Sequence, residues 1–259
     1  MRRRDWLAAA AAWSVCAWRP ACAQGLPARV AAASDLQFVL PEIAAAFQAR
    51  SALRVELTFG SSGNVARQIQ QGAPLDLFMS ADESYVLRLA DAGLTRDRGH
   101  RYATGHLALV APAGSTLPLD PSLDGLRQRF ADVTRFAIAN PELAPYGRAA
   151  REALQNLGLW DTWQDKLVLG ENVTQATQYV ASGAAQAGIT SLSLARAPAL
   201  AGALRHVGLP ASLHAPIVQR MVLLRDARPA AADFRLFVLM PEARRIFAAH
   251  GFGEPPAGG

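Results

Sequence analysis

The chain has 259 residues, 51% of them hydrophobic and 18% charged, with 26 basic against 21 acidic side chains. That balance excludes a disordered chain and suits one large domain or two modest lobes. The formal net charge of +5 invites a nucleic-acid reading, but most of the excess lies in the first 23 residues.

Arg2, Arg3 and Arg4 precede an apolar run from Trp6 to Trp18, and Ala21-Cys22-Ala23 offers a small-residue cleavage site before Gln24. This is the pattern of a secretory signal peptide. The apolar run is too short for a transmembrane helix, which needs about 20 such residues. Arg3-Arg4-Asp5-Trp6-Leu7 also resembles a twin-arginine signal, so the Sec and twin-arginine routes both stay open. Cys22 allows a lipid anchor, but Arg19-Pro20-Ala21 lacks the aliphatic residue usual three positions before a lipidated cysteine. Removal of residues 1–23 takes away both cysteines and a net charge of +3, leaving +2. The mature chain is therefore expected in the periplasm, without thiol chemistry, cofactor or nucleic-acid partner, and as a monomer.

The remaining sequence alternates short apolar runs with amphipathic segments. Arg29–Ala33 reads as a strand, and Ser34 stands where a helix cap would. Pro41 requires either a kink or a helix that begins later than Ser34. Arg54–Phe59 reads as a strand, and Gly60-Ser61-Ser62-Gly63 as a tight turn into a helix that Gly72 and Pro74 stop. Leu75–Met79 is a third strand, followed by Ser80-Ala81-Asp82-Glu83, the pattern of a capping box with Ser80 at the cap.

His106–Ala111 reads as a strand crossing into a second lobe. Arg135–Ala139, Lys166–Leu169 and Ala187–Thr190 are further strands. Tyr146-Gly147 opens a helix after the first of them, and Asn172-Val173 opens one after the second. Ile217–Leu224 returns to the first lobe, and the C-terminus is helical, broken at Pro241 and ended at Gly251. Repeated strand–helix alternation predicts an α/β fold of two mostly parallel sheets flanked by helices. The lobes are expected over residues 24–105 with 216–259, and over 106–215.

In such sheets a ligand sits where strands give way to helix N-termini. Four turns fit: Ser34, Ser61-Ser62, Tyr146-Gly147 and Asn172-Val173. Each offers backbone N–H groups at the positive end of a helix, and none carries Arg or Lys. Neutral donors without a counter-charge suit an anion that brings no proton. A phosphate site would add a carboxylate to accept the ligand's P–OH. Asp35 either supports the helix dipole from its first turn or faces the ligand, where it would repel a bare dianion.

Several segments in this order resemble the periplasmic molybdate-binding proteins of ABC transporters, the ModA family. They are Ala31-Ala32-Ala33-Ser34, Phe59–Ile69, Gly72–Asp82, Asn140-Pro141-Glu142 with Pro145-Tyr146-Gly147, Gly170-Glu171-Asn172-Val173 and His250-Gly251-Phe252. The resemblance covers almost the whole mature chain. It implies a two-lobed type II periplasmic-binding fold that clamps molybdate or tungstate and delivers it to a membrane permease. It also implies contacts from Ser34 and Ser62 through hydroxyl and N–H, and from Tyr146 and Val173 through N–H. Many members carry a tyrosine at the position of Ser191, which is a shorter donor here. Tyr146 stands where others have a small residue, and Asp35 is an added carboxylate beside Ser34. Molybdenum would be bound only within its oxyanion.

Other readings are weaker. Sulfate, phosphate or a small organic anion could occupy the same cleft, since charge and shape alone do not separate them. Gly60-Ser61-Ser62-Gly63-Asn64 approaches a nucleophile elbow but lacks its final glycine, so a serine hydrolase is disfavoured. The five histidines show neither triad nor metal-ligand placement. A sensory module would need a further element that is not seen in this sequence.

Overall fold

The computed structural model describes residues 26–256. The segment expected to be an export signal, with both cysteines, lies outside the described residues. No described helix is long and apolar enough to cross a membrane.

Lobe I is built on β1 (Ala28–Ala33), β2 (Val55–Gly60), β3 (Leu77–Ser80), β4 (His100–Gly105) and β10 (Ile217–Leu223), in the order β2-β1-β3-β10-β4. β1 pairs parallel with β2 and β3, while β10 pairs antiparallel with β3 and β4. Lobe II holds β5 (Leu107–Pro112), β6 (Phe136–Ala139), β7 (Leu167–Gly170), β8 (Ala187–Ser191) and β9 (Leu204–Gly208), in the order β7-β6-β8-β5-β9. β6 pairs parallel with β7 and β8, and β5 antiparallel with β8 and β9. The expected parallel core is present around β1 and β6, and in each sheet four strands share one direction while a single strand, β10 or β5, runs against them. The two sheets share one topology, although the sequence shows no repeat.

Burial follows strand position. β1 and β3 are almost wholly buried, so apart from the half-buried Arg29 both read as continuous small or apolar runs. β2 is an edge strand, and exposed Glu56 and Thr58 alternate with half-buried Val55, Leu57 and Phe59.

Helices cover both faces of each sheet. In lobe I, α1 (Val39–Ser51), α9 (Pro229–Val238) and α10 (Pro241–Ala249) pack one core, where Phe47 meets Phe234 edge-on with ring centroids 5.2 Å apart. The other face packs α2 (Ser62–Gln70) and α3 (Glu83–Asp91). In lobe II, the short α4 (Asp124–Gln128), α5 (Pro145–Asn156) and α6 (Trp160–Trp163) enclose one core around fully buried Trp163. The opposite face carries α7 (Val173–Ala181) and α8 (Leu192–Ala195).

Of two local expectations, the later helix start required by Pro41 is met and the capping box at Ser80 is not. Ser34 opens a 3-10 turn (Ser34–Leu36), and α1 begins only at Val39. Pro41 therefore falls in the first turn of α1, where its missing N–H would have had no intrahelical acceptor. The Ser80–Glu83 capping box does not form. Asp82 caps α3 instead, accepting from Ser84 N–H at 2.8 Å. Ser80 Oγ accepts from Asp82 N–H, and Glu83 is drawn away to Arg101 and Arg220 on the neighbouring strands.

Candidate functional site

Four strand exits converge between the lobes. β1 ends at Ala33 and delivers Ser34 and Asp35. β2 ends at Gly60 and delivers Ser61 and Ser62. β6 leads through residues 140–144 into α5, and β7 through Glu171 and Asn172 into α7. Ser34, Asp35, Ser61, Ser62, Tyr146 and Val173 line one cavity there, with Ala33, Gly60, Ala81, Ala144 and Pro145 filling its apolar wall. Ala33 and Ala81 of lobe I pack into the same core as Ala144, Tyr146 and Val173 of lobe II.

The helix starts leave a small set of donors unspent. In the first turn of α2, Gly63 N–H donates to Leu143 O at 3.0 Å and Asn64 N–H to Ser61 Oγ at 3.4 Å. Ser62 N–H remains. At α5, Pro145 has no N–H, and Gly147 and Arg148 both donate to Ala144 O, so Tyr146 N–H remains. At α7, Asn172 caps Gln175 N–H at 3.0 Å and accepts Ala176 N–H through its carbonyl, leaving Val173 and Thr174 N–H. These are the amides that a helix start leaves without intrahelical partners. Together they concentrate positive dipole on one cavity.

The two hydroxyls are arranged to donate. Ser62 Oγ accepts from Ala81 N–H at 3.0 Å, which directs its own proton elsewhere. Ser34 Oγ has no hydrogen-bond partner among the described residues, while Ser34 O accepts from Thr174 Oγ1 at 2.9 Å. Among the described residues no Arg, Lys or His lines the cavity. The arrangement therefore offers an anion dipoles and no formal positive charge.

Asp35 is the one ionisable acid in the wall, and it is 1% exposed. Its Oδ2 accepts from Tyr146 OH at 3.0 Å and from Gln219 Nε2 at 2.6 Å. Burial pushes its pKa up to about 6, against the lowering pull of those two hydrogen bonds. The Tyr146 hydroxyl is thus spent on Asp35 across the cleft, and burial beside that carboxyl holds its pKa well above the usual phenol value. Asp35 is more than a first-turn carboxylate, and sequence pattern gave no sign of its partners.

Ser191 is placed differently. It is fully buried, caps α8, and stands off the cavity. Its Oγ lies 3.0 Å from Ser193 Oγ and accepts from Leu194 N–H at 3.3 Å. Ser193 Oγ in turn donates to Asp35 O at 2.9 Å, a link between lobes that the sequence did not suggest.

Further contacts cross the cleft. Asn64 Nδ2 donates to Glu171 Oε1 at 2.7 Å, and Arg148 on α5 pairs with Asp82 at the start of α3. The Arg148 and Asp82 side chains are 39% and 18% exposed, so solvent screens the pair. Arg148→Ala is expected to cost about 0–1 kcal/mol of closure, less than about sixfold in ligand affinity, and the loss should shrink in high salt. Calorimetry at two ionic strengths checks this.

Comparison with known proteins agrees with this arrangement. A family model described as bacterial extracellular solute-binding protein matches residues 28–253. The molybdate-binding protein ModA of Rhodobacter capsulatus is 35% identical, with 90% of each chain covered. ModA of Azotobacter vinelandii is 32% identical over 90% of this chain and 92% of its own. The solved periplasmic molybdate-binding protein of that organism superposes with a TM-score of 0.79, covering 88% of this chain and all of the other. A sulfate-binding protein of Mycobacterium tuberculosis, SubI, has a TM-score of 0.74 at 18% identity and shares the fold. The chain belongs to the bacterial extracellular solute-binding proteins and, among them, to the ModA family.

Proposed function

We propose that this protein captures molybdate, and tungstate by the same chemistry, outside the cytoplasm and hands it to the permease of an ABC importer. One observation carries the reading: four strand-to-helix turns from two lobes bring unspent N–H and O–H donors to a single cavity that holds no cation. Ser34 and Ser62 give hydroxyl and backbone donors, and Tyr146 and Val173 give backbone N–H. Ser191 supports α8 and the Ser193–Asp35 link rather than the anion.

The mechanism is hinge closure. Residues 24–105 with 216–259 move as one unit against 106–215, about crossings at His106 and just before Ile217. An anion bound to donors of both lobes favours the closed form by the contacts it makes only there. The closed monomer then docks on the permease. The relatives are solute-binding proteins, and binding without chemical change is the reading here.

Calorimetry of residues 24–259 with molybdate, tungstate, sulfate and phosphate tests it. One-to-one binding of molybdate and tungstate, with at least a hundredfold preference over sulfate and phosphate, is expected. Preference for sulfate or phosphate would overturn the choice of ligand, and silence to all four would overturn the oxyanion reading.

A further inference from the structure

Asp35 is an anomaly in a pocket for a dianion. It lines the cavity beside Ser34 and Ser62, and a carboxylate there would repel the ligand. Its two oxygens are not equivalent. Oδ2 receives both the Tyr146 hydroxyl and the Gln219 amide. Oδ1 is buried and meets no hydrogen-bond partner among the described residues.

The orientation of Gln219 is set by the network. Its Oε1 accepts from Tyr102 OH at 2.7 Å, so the Nε2 end is the one turned to Asp35. Two donors on Oδ2 leave Oδ1 as the oxygen that can carry a proton.

The surroundings favour that proton. Tyr146 on α5 and Tyr102 on β4 are the titratable neighbours, and burial beside Asp35 keeps both neutral phenols. Gln219 on β10 and Ser193 on α8 are uncharged, and Thr174 on α7 bonds the adjacent Ser34 carbonyl. Among the described residues no cation lines the cavity to hold the carboxylate charged. Burial already brings the group to about 6, and a dianion alongside would raise it further.

We propose that Asp35 acts in the closed complex as a neutral carboxylic acid whose Oδ1–H donates to an oxygen of the tetrahedral dianion, so that wherever Asp35 of the free protein is ionised one proton is taken up from solvent with each anion bound. This rests on the oxyanion reading of the cavity. It supplies a donor that Ser191, committed to Ser193 and Leu194, does not.

The sign follows from the raised pKa. Binding is strongest at and below about pH 6, where Asp35 is already protonated, and weakens as pH rises and each binding event must draw a proton from solvent. The decline approaches about tenfold per pH unit.

The test is calorimetry with molybdate from pH 6.0 to 8.5, in two buffers of different ionisation enthalpy, on the wild-type protein and Asp35→Asn. Wild type should take up close to one proton above pH 7 and lose affinity as pH rises. Asp35→Asn, with a permanent N–H donor, should take up none and bind with pH-independent affinity, tighter than wild type at pH 8.5. A wild-type affinity and proton count that stay flat overturn the proposal, whatever the fate of the variant. Phosphate bound by wild type and lost in Asp35→Asn would make Asp35 a carboxylate acceptor and overturn it too, while leaving an oxyanion site. Silence of both proteins to molybdate, tungstate, sulfate and phosphate overturns the oxyanion reading and this role together.

Discussion

Ser62→Ala is expected to bind molybdate ~5- to 150-fold more weakly, the equivalent of about 1–3 kcal/mol for a lost donor in a buried site. The hydroxyl does two jobs. Its oxygen accepts from Ala81 N–H at 3.0 Å, and its proton is free for the ligand. Ala81 is 1% exposed, so truncation also leaves a buried amide unpaired. The variant should therefore lose stability without ligand as well as affinity. Ser34→Ala separates the two effects. Ser34 Oγ holds no protein partner among the described residues, so its removal should weaken binding by a similar factor with little change in the ligand-free Tm. Calorimetry paired with thermal melts reads both quantities. Unchanged affinity in both variants would remove the serine hydroxyls from the site.

Gly63→Ala should weaken binding at least tenfold while each lobe stays folded. Gly63 N–H donates to Leu143 O of the opposite lobe at 3.0 Å. A Cβ at Gly63 would lie 2.7 Å from that same oxygen and 3.0 Å from Tyr85 OH. Tyr85 is a flexible side chain of the same lobe, but Leu143 O is backbone of the other lobe and has no rotamer by which to retreat. The clash therefore falls on closure and spares the fold of lobe I, where Gly63 sits in an ordinary helical turn. The expected signature is a normal Tm without ligand, a much smaller Tm rise with molybdate, and a faster off-rate. A large drop in ligand-free Tm would show instead that the closed contact is part of the resting fold.

Much of this architecture was legible from pattern alone. β1, β3, β6 and β8 are short, largely apolar runs because both of their faces are covered, and each leads through a turn toward a helix. β4 and β9 were not legible. His100-Arg101-Tyr102-Ala103-Thr104-Gly105 and Leu204-Arg205-His206-Val207-Gly208 mix charge into edge strands that need only one covered face. The four turns proposed to hold the anion stand out because Ser, Gly and Asn after a strand have local consequences. The surroundings of Asp35 had no such signal. Tyr146 and Gln219 are 111 and 184 residues away from it, and only the assembled lobes bring them together. The misread cap at Ser80 has the same origin. A local motif predicted Glu83 turned back on its own helix, and long-range guanidinium partners won.

The most direct test of the account is a crystal structure of residues 24–259 with molybdate, phased or mapped at the molybdenum absorption edge. One anomalous peak is expected between the lobes, with the anion's oxygens within hydrogen-bond reach of the Ser34 and Ser62 hydroxyls and of the Tyr146 and Val173 amides. A peak held by arginine side chains on the surface, or one contacting a single lobe, would contradict it.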